Sequence, residues 1–356
     1  MKLLFYISNI GGGGAARVMC NIANEICTNH QVVFVANFSS EHEYELRQEI
    51  VRYNLEEKES QDKALKKNIK RVVALRRVIK AVEPDASIAF MGENNVRLLF
   101  AAKGLQTKTF ISVRNDPNKE YPSSKFPKFT DYIYRKADGI IFQTENAKKF
   151  FSEIVQNKSK IIFNQVESRF YQQTTSLGDM IIACGRLSPQ KNYAMMLEAF
   201  KHVLVEFPTE TLVVYGEGAL KEKLIRYTEE LGIKESVIFM GYATDMVENY
   251  KKAKMLILSS DYEGMPNVVL EALASSVPVI STDCPCGGPK MVIKEGSNGM
   301  LVPVGDKNAL ANAIISLLKN PDKNLSMKKN AYDSAQAFSS DKVIAEWLEF
   351  ILKEGV

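Results

Sequence analysis

Among its 356 residues the chain has three histidines, five cysteines and one tryptophan. Each scarcity removes a class of protein. His30, His42 and His202 lack ligand spacing, and Cys284-Pro-Cys286 alone is at most half of a metal site, so no metal centre is expected. Cys20, Cys27, Cys184, Cys284 and Cys286 form no even framework, which suits reduced thiols in the cytoplasm. No apolar run approaches the roughly 18 residues of a membrane span. The chain enters its first strand without a signal-peptide pattern, again the expectation for a cytoplasmic protein. Short repeats and low-complexity tracts are absent. So is an aromatic-rich basic platform of the kind that stacks bases, and nucleic acid is not expected as a partner.

What is present is a globular composition, 46% hydrophobic and 25% charged, at a length that suits two domains. Charge is uneven. Residues 1–170 carry 27 Lys+Arg against 19 Asp+Glu, and the remainder carries 19 against 23. The segment KALKKNIKRVVALRRVIK, Lys63 to Lys80, has eight basic residues and no acid. Its Leu65, Ile69, Val72, Val73 and Ile79 recur at helical spacing. Lys63, Lys66, Lys67, Lys70, Arg71 and Arg77 then fall largely on the other side. Such a helix suits an anionic membrane surface, an anionic substrate, or simple solvation.

Strand and helix patterns alternate along the chain. Strands are expected at 2–8, 31–37, 86–91, 109–113, 139–143 and 160–163, then at 180–184, 211–215, 237–240, 254–258 and 277–280. Helical patterns separate most of them, and beyond Asp306 only helices are expected. Alternation means parallel sheets covered on both faces. The expected fold is α/β, with two doubly wound Rossmann-like domains facing a central cleft: 1–170, 171–339, and a last helix at 340–356 packing back on the first. Polar YQQTTSLGD, Tyr171 to Asp179, is the linker candidate.

The first strand, KLLFYIS, runs into four glycines that open a helix. Gly11, Gly13 and Ala16 satisfy the dinucleotide fingerprint G-x-G-x-x-A. Its usual acid at the end of the second strand is missing, because QVVFVAN ends in Asn37. The loop still suits phosphate, since free N–H groups and the helix dipole point into it. A tight turn without a ligand is the alternative.

Three stretches of the second half carry chemistry. GRLSPQKN follows the strand MIIAC and offers Arg186 and Lys191, two cations that can grip a diphosphate. SSDYEGMPNVVLEALAS follows KMLIL. In it Gly264 permits a sharp turn, Pro266 suits a helix start, and the N–H groups of Asn267 and Val268 suit an anion. Glu271, bracketed by Val269, Leu270, Ala272 and Leu273, needs a partner, because burying a lone carboxylate is unfavourable. Ribose hydroxyls, a backbone group or an arginine would each serve. STDCPCGGPKMVIKEG is a further turn, with Gly287, Gly288 and Pro289 placed for close approach.

In this order the stretches resemble the second domain of retaining glycosyltransferase family 4, of GT-B fold. Glu263 and Glu271 form the family's E-x7-E pair. NGMLVP.GD continues the pattern over about 130 residues, and the glycine loop resembles the family's N-terminal opening. The resemblance implies a nucleotide-sugar donor. Arg186 and Lys191 would hold its diphosphate and Glu271 its ribose, with Gly185 among the donor-binding residues. Glu263 and the backbone of Gly264, Met265, Pro266, Asn267 and Val268 would contact sugar and phosphates, with Gly12 and Gly13 approaching from the first domain. Catalytic roles fall to Glu263, Arg186 and Lys191. The family needs no protein nucleophile, and no metal or other cofactor is expected. The chain departs from the family pattern in three places. ISVRNDP puts Arg114, Asn115 and Asp116 where many relatives have a histidine, which makes them acceptor-side candidates. Met291 replaces a glutamate, and Asn164-Gln165 an Asn-Pro. The nearest flavour is that of bacterial enzymes extending glycans on a polyprenyl-diphosphate carrier. The donor is expected to be a UDP-hexose or UDP-N-acetylhexosamine, with GDP-mannose second. The basic segment would then face an anionic membrane or the carrier, peripherally. A nucleotide-sugar epimerase, a dehydrogenase and a non-catalytic glycan binder are the rival readings.

Overall fold

The computed structural model describes residues 1–353 except 12, 41, 122–125 and 244. The chain forms two compact units. One comprises Met1–Gln165 and the chain from Asp341 onward, and the other Val166–Ser340.

The first unit runs β1 (Lys2–Ile7), α1 (Gly14–Ile26), β2 (Gln31–Ala36), β3 (Val51–Asn54), α2 (Ala64–Val82), β4 (Ala86–Phe90) and α3 (Gly92–Ala102). It continues with β5 (Lys108–Ser112), α4 (Pro117–Glu120), α5 (Phe126–Tyr134), β6 (Gly139–Phe142), α6 (Glu145–Lys149), α7 (Glu153–Asn157) and β7 (Ser159–Ile161). Its seven strands are parallel, in the order β3-β2-β1-β4-β5-β6-β7. Leu3, Leu4, Phe5 and Tyr6 are all fully buried, as a strand covered on both faces requires. β3 has no counterpart in the sequence reading. All four of its residues are exposed, so VRYN carries no apolar alternation and joins the sheet edge through backbone pairing with β2.

The second unit runs β8 (Met180–Cys184), α8 (Tyr193–Glu206), β9 (Leu212–Tyr215), α9 (Lys221–Leu231), β10 (Val237–Gly241), α10 (Val247–Lys251) and β11 (Ala253–Leu258). Then come α11 (Asn267–Ala274), β12 (Val279–Thr282), α12 (Gly288–Val292), β13 (Gly299–Val302), α13 (Lys307–Lys319) and α14 (Pro321–Ala335). The order β10-β9-β8-β11-β12-β13 repeats the doubly wound pattern. Tyr171–Asp179 is not a free linker. The Gln172 and Asp179 amides donate to Ala274 and Lys252 carbonyls, and the Tyr171 hydroxyl donates to the Ala335 carbonyl at 2.9 Å. These bonds hold the stretch within the second unit, and the chain passes between units at Gln165 and Val166.

The last helix, α15 (Ser340–Lys353), packs on the first unit's sheet. Trp347, fully buried, lies 5.5 Å from Phe90 between ring centroids, and Phe350 meets Phe110 edge-on at 5.8 Å.

α2 corrects the sequence reading. Its buried residues are Arg71, Leu75, Ile79 and Val82. Leu65, Ile69 and Val73, expected on an apolar side opposite the basic residues, are 75, 56 and 45% exposed. They share the outer face with Lys63, Lys66, Lys70 and Arg77. Arg71, expected on that basic face, turns inward. Its Nε and Nη2 donate to the two Glu56 carboxylate oxygens at 2.9 and 3.0 Å, holding that carboxyl below its ordinary range. The pair anchors α2 to the segment after β3. Removing one partner of such a pair leaves the other charge uncompensated, so Arg71→Ala should destabilise the protein by about 3–5 kcal/mol. Lys66→Ala should change stability by less than about 0.5 kcal/mol. Chemical denaturation measures both, and equal small effects would show that Arg71 is not an anchor.

Candidate active site

In the second unit the strand order reverses between β8 and β11, and an open parallel sheet takes ligands outside the carboxyl ends of its strands at such a point. Two loops emerge there side by side. The first, Gly185 to Asn192, begins where Gly185 adopts φ +151° and its amide donates to the Tyr215 carbonyl. Arg186 is exposed. A short 3-10 turn, Pro189–Lys191, then ends in left-handed Asn192, whose side chain caps α8 by accepting from the Met195 amide.

The second loop, Ser259 to Pro266, is tied to the first along its length. Ser259 Oγ donates to the Lys191 carbonyl at 2.8 Å, and Asn192 Nδ2 donates to Asp261 Oδ1 at 2.8 Å. Gln190 donates its side-chain amide to the Tyr262 carbonyl and accepts from the Asp261 amide through its own carbonyl. At the centre Lys191 Nζ lies 2.6 Å from Glu263 Oε1, and Ser260 Oγ donates to the same oxygen at 2.7 Å. Both charged side chains are largely buried, with 15 and 9% of their surface exposed.

Beyond Glu263 the chain turns into α11, whose N-cap residue, Pro266, makes no side-chain cap bond. Pro266 stands one place before the helix, and Met265 is buried while Asn267 and Val268 are half-buried. Glu271, one turn in, is 5% exposed among apolar neighbours, and the Tyr250 hydroxyl of α10 sits 3.4 Å from its Oε2. Cys184, at the end of β8, lies close enough to Glu271 for the carboxylate to add to the upward push that burial exerts on its thiol. The third stretch closes the group. Thr282 Oγ1 donates to the Ser260 carbonyl at 2.6 Å, and Gly287 takes φ +81°. A Cβ on Gly288 would lie 1.5 Å from the Gly264 carbonyl oxygen, so this crossing admits only glycine. The second unit therefore gathers Gly185, Arg186, Lys191 and the run Glu263 to Glu271 at one sheet edge. Sequence reading missed Ser260, Tyr250 and the Asn192–Asp261 tie. Ser260 stood inside a quoted motif, whereas Tyr250 comes from another helix and left no signal.

In the first unit, Gly13 precedes α1, and a Cβ there would meet nothing within 4 Å, so space beside the helix start is open. Gly11 differs. A Cβ on it would lie 2.3 Å from the His42 carbonyl oxygen, so its absence of side chain serves the loop itself. Gly12 lies outside the described residues. Arg114 is buried just past β5, Asn115 is half-buried, and Asp116 caps α4 by accepting from the Asn118 amide at 2.9 Å. Among the described residues no helix is long and apolar enough to cross a membrane, and no His/Cys/Asp/Glu group has the make-up of a metal site.

Gly288→Ala forces the Gly264 carbonyl aside. It should lower stability by about 1–3 kcal/mol and disturb the loop that carries Glu263. A thermal melt unchanged from that of the unmodified protein would contradict the crossing.

Residues 167–334 match the family described as glycosyl transferases group 1. Among relatives, the chain is 28% identical over 358 residues to a Campylobacter jejuni alpha-1,4-N-acetyl-D-galactosaminyltransferase. That enzyme is named for GalNAc-alpha-(1->4)-GalNAc-alpha-(1->3)-diNAcBac-PP-undecaprenol, and the match covers 99% of this chain and 98% of the relative. A second C. jejuni enzyme, a 4-alpha-N-acetylgalactosaminyltransferase named for an N,N'-diacetylbacillosaminyl-diphospho-undecaprenol glycan, is 25% identical over 99% of both chains. The crystal structure of Anabaena HepE in complex with UDP superposes with a TM-score of 0.82 at 16% identity, covering 99% of this chain and all of that one. Such likeness establishes the two-domain GT-B fold.

Proposed function

We propose that the chain, whose residues 167–334 match the glycosyl transferases group 1 family, is a glycosyltransferase that moves a hexose or N-acetylhexosamine from a UDP-sugar to a polyprenyl-diphosphate-linked glycan. The setting is assembly of a bacterial surface glycan. The observation that carries the donor half is the cluster Lys191–Glu263–Ser260 beside the start of α11, with Glu271 one turn beyond. The two Campylobacter relatives, whose names specify undecaprenyl-linked acceptors, support the acceptor half.

The chemistry follows from charge. As the sugar leaves, negative charge builds on the departing diphosphate. Arg186, Lys191 and the helix start would stabilise it in place, and loss of one such cation should slow transfer by roughly 10²–10³. Glu263 then passes from Lys191 to the donor sugar, and Glu271 takes the ribose hydroxyls. Transfer proceeds with retention by same-face attack, the leaving phosphate helping to remove the acceptor proton, so neither a protein nucleophile nor a metal is required. Arg114 and Asn115 serve the acceptor side. Asp116, already spent on a helix cap, supports that loop.

The outer face of α2 supports a peripheral seat on anionic membrane. Leu65, Ile69 and Val73 stand exposed between Lys63, Lys66, Lys70 and Arg77, a pattern that suits an interfacial helix. Lys66 and Lys70 share Asp62, at 3.0 and 2.5 Å, which moderates their charge. In liposome flotation the protein should prefer anionic vesicles, and replacing Leu65, Ile69 and Val73 together by serine should weaken that binding. Equal recovery on neutral vesicles would remove the membrane from the account.

The direct test is incubation with a panel of UDP- and GDP-sugars and an undecaprenyl-diphosphate-linked glycan in the presence of a chelator. Transfer from a UDP-sugar with an α-linked product is expected. A β-linked product would contradict retention, and nucleotide release with an isomerised free sugar would favour an epimerase. Glu271→Ala should weaken UDP binding on the order of tenfold or more, because buried polar partners are lost together. Unchanged UDP affinity would sink the ribose assignment.

A further inference from the structure

The first unit buries three arginines, and only two of them have a carboxylate. Arg71 has Glu56, and Arg97 has Glu93 together with Asn68 and Asn94. Arg114 has none among the described residues. Its guanidinium carbon lies 4.3 Å from the centroid of the Phe90 ring. Nη2 donates to Asn164 Oδ1, an oxygen that also accepts from Gln143 Nε2 at 2.6 Å, and Nη1 lies at 3.4 Å from Ser112 Oγ. All of these partners are neutral. Burial alone lowers the guanidinium to about 9. An aromatic face and one shared amide oxygen recover part of the cost of desolvating a cation, but a lone buried charge remains far less favourable than a paired one.

The location is informative. Phe90 ends β4, Ser112 ends β5, Gln143 follows β6 and Asn164 follows β7. Arg114 therefore stands at the carboxyl edge of the sheet, where doubly wound sheets take ligands, and not in mid-core. A purely structural cation would be served by a carboxylate from a neighbouring strand end. Here the neighbours are Asn, Gln and Ser, which orient a guanidinium without neutralising it.

We propose that Arg114 is the receptor for a phosphate oxyanion of a substrate. The inference rests on the reading of the chain as a nucleotide-sugar transferase, in which donor and carrier-linked acceptor both bring a diphosphate. Arginine suits the task better than lysine. Its delocalised charge tolerates stacking on Phe90, and its fork offers two parallel N–H groups to two oxygens.

The test compares the unmodified protein with Arg114→Met and Arg114→Lys, using UDP and inorganic pyrophosphate as probes. Relieved of an uncompensated charge, Arg114→Met should melt at the same temperature or roughly 2–4 °C higher. With UDP saturating, pyrophosphate should raise the melting temperature of the unmodified protein further. In Arg114→Met that gain should need on the order of tenfold more pyrophosphate, with Arg114→Lys between the two. This result assigns the oxyanion to the acceptor. If instead UDP itself binds on the order of tenfold more weakly to Arg114→Met, the oxyanion belongs to the donor. A Met variant that melts several degrees lower marks Arg114 as a strut and overturns the proposal. So does a variant that binds both probes like the unmodified protein. Failure of the unmodified protein to bind UDP would instead strike at the nucleotide-sugar reading, leaving Arg114 to be judged on pyrophosphate alone.

Discussion

The ion pair between Lys191 and Glu263 exists because β8 and β11 are neighbours. Seventy-two positions separate the two residues, and only the reversal of strand order brings their loops to one edge. The rest of the second unit's site is built around this contact. Ser260 shares the Glu263 oxygen, Ser259 and Asn192 lock the loop backbones, and the glycine crossing at Gly264 and Gly288 fixes where the chain turns into α11. A charged pair so little exposed is worth keeping only when its geometry is held. The surrounding hydroxyls and amides hold it. On the proposed reading, an arriving diphosphate offers Lys191 a more highly charged partner and releases Glu263 toward the sugar.

Much of that site was legible because turn chemistry is local. Gly185, Gly264, Gly287 and Gly288 mark sharp bends in the residue string itself, and Glu271 stands out as a carboxylate on an apolar helix. What was hidden depended on packing. In α2, Leu65, Ile69 and Val73 recur at helical spacing as regularly as Leu75, Ile79 and Val82. Periodicity shows that a stripe exists, but not which stripe the sheet covers. Arg71 could be placed inside only by knowing that Glu56 follows β3, an edge strand with no apolar alternation. Tyr250 likewise reaches Glu271 from a separate helix.

The glycine run after β1 shows how one motif divides its work. Gly11 is required by the close approach of the His42 carbonyl, whereas Gly13 leaves open space beside the start of α1. Asn37, just past the end of β2, is fully buried and accepts from the Tyr6 hydroxyl at 2.9 Å, in the place where a dinucleotide site keeps an acid. The loop is therefore read as an anion approach without a ribose clamp. On the proposed reading, ribose binding falls to Glu271 in the other unit.

The central claim is that the Lys191–Glu263–Glu271 edge is a nucleoside diphosphate site. Calorimetric titration of the purified protein with UDP, GDP, ADP and NAD+, without added metal, tests it most directly. The account predicts heat from UDP that is selective over GDP and ADP, and none from NAD+. Binding of NAD+ alone would make the glycine loop a dinucleotide site and contradict the account.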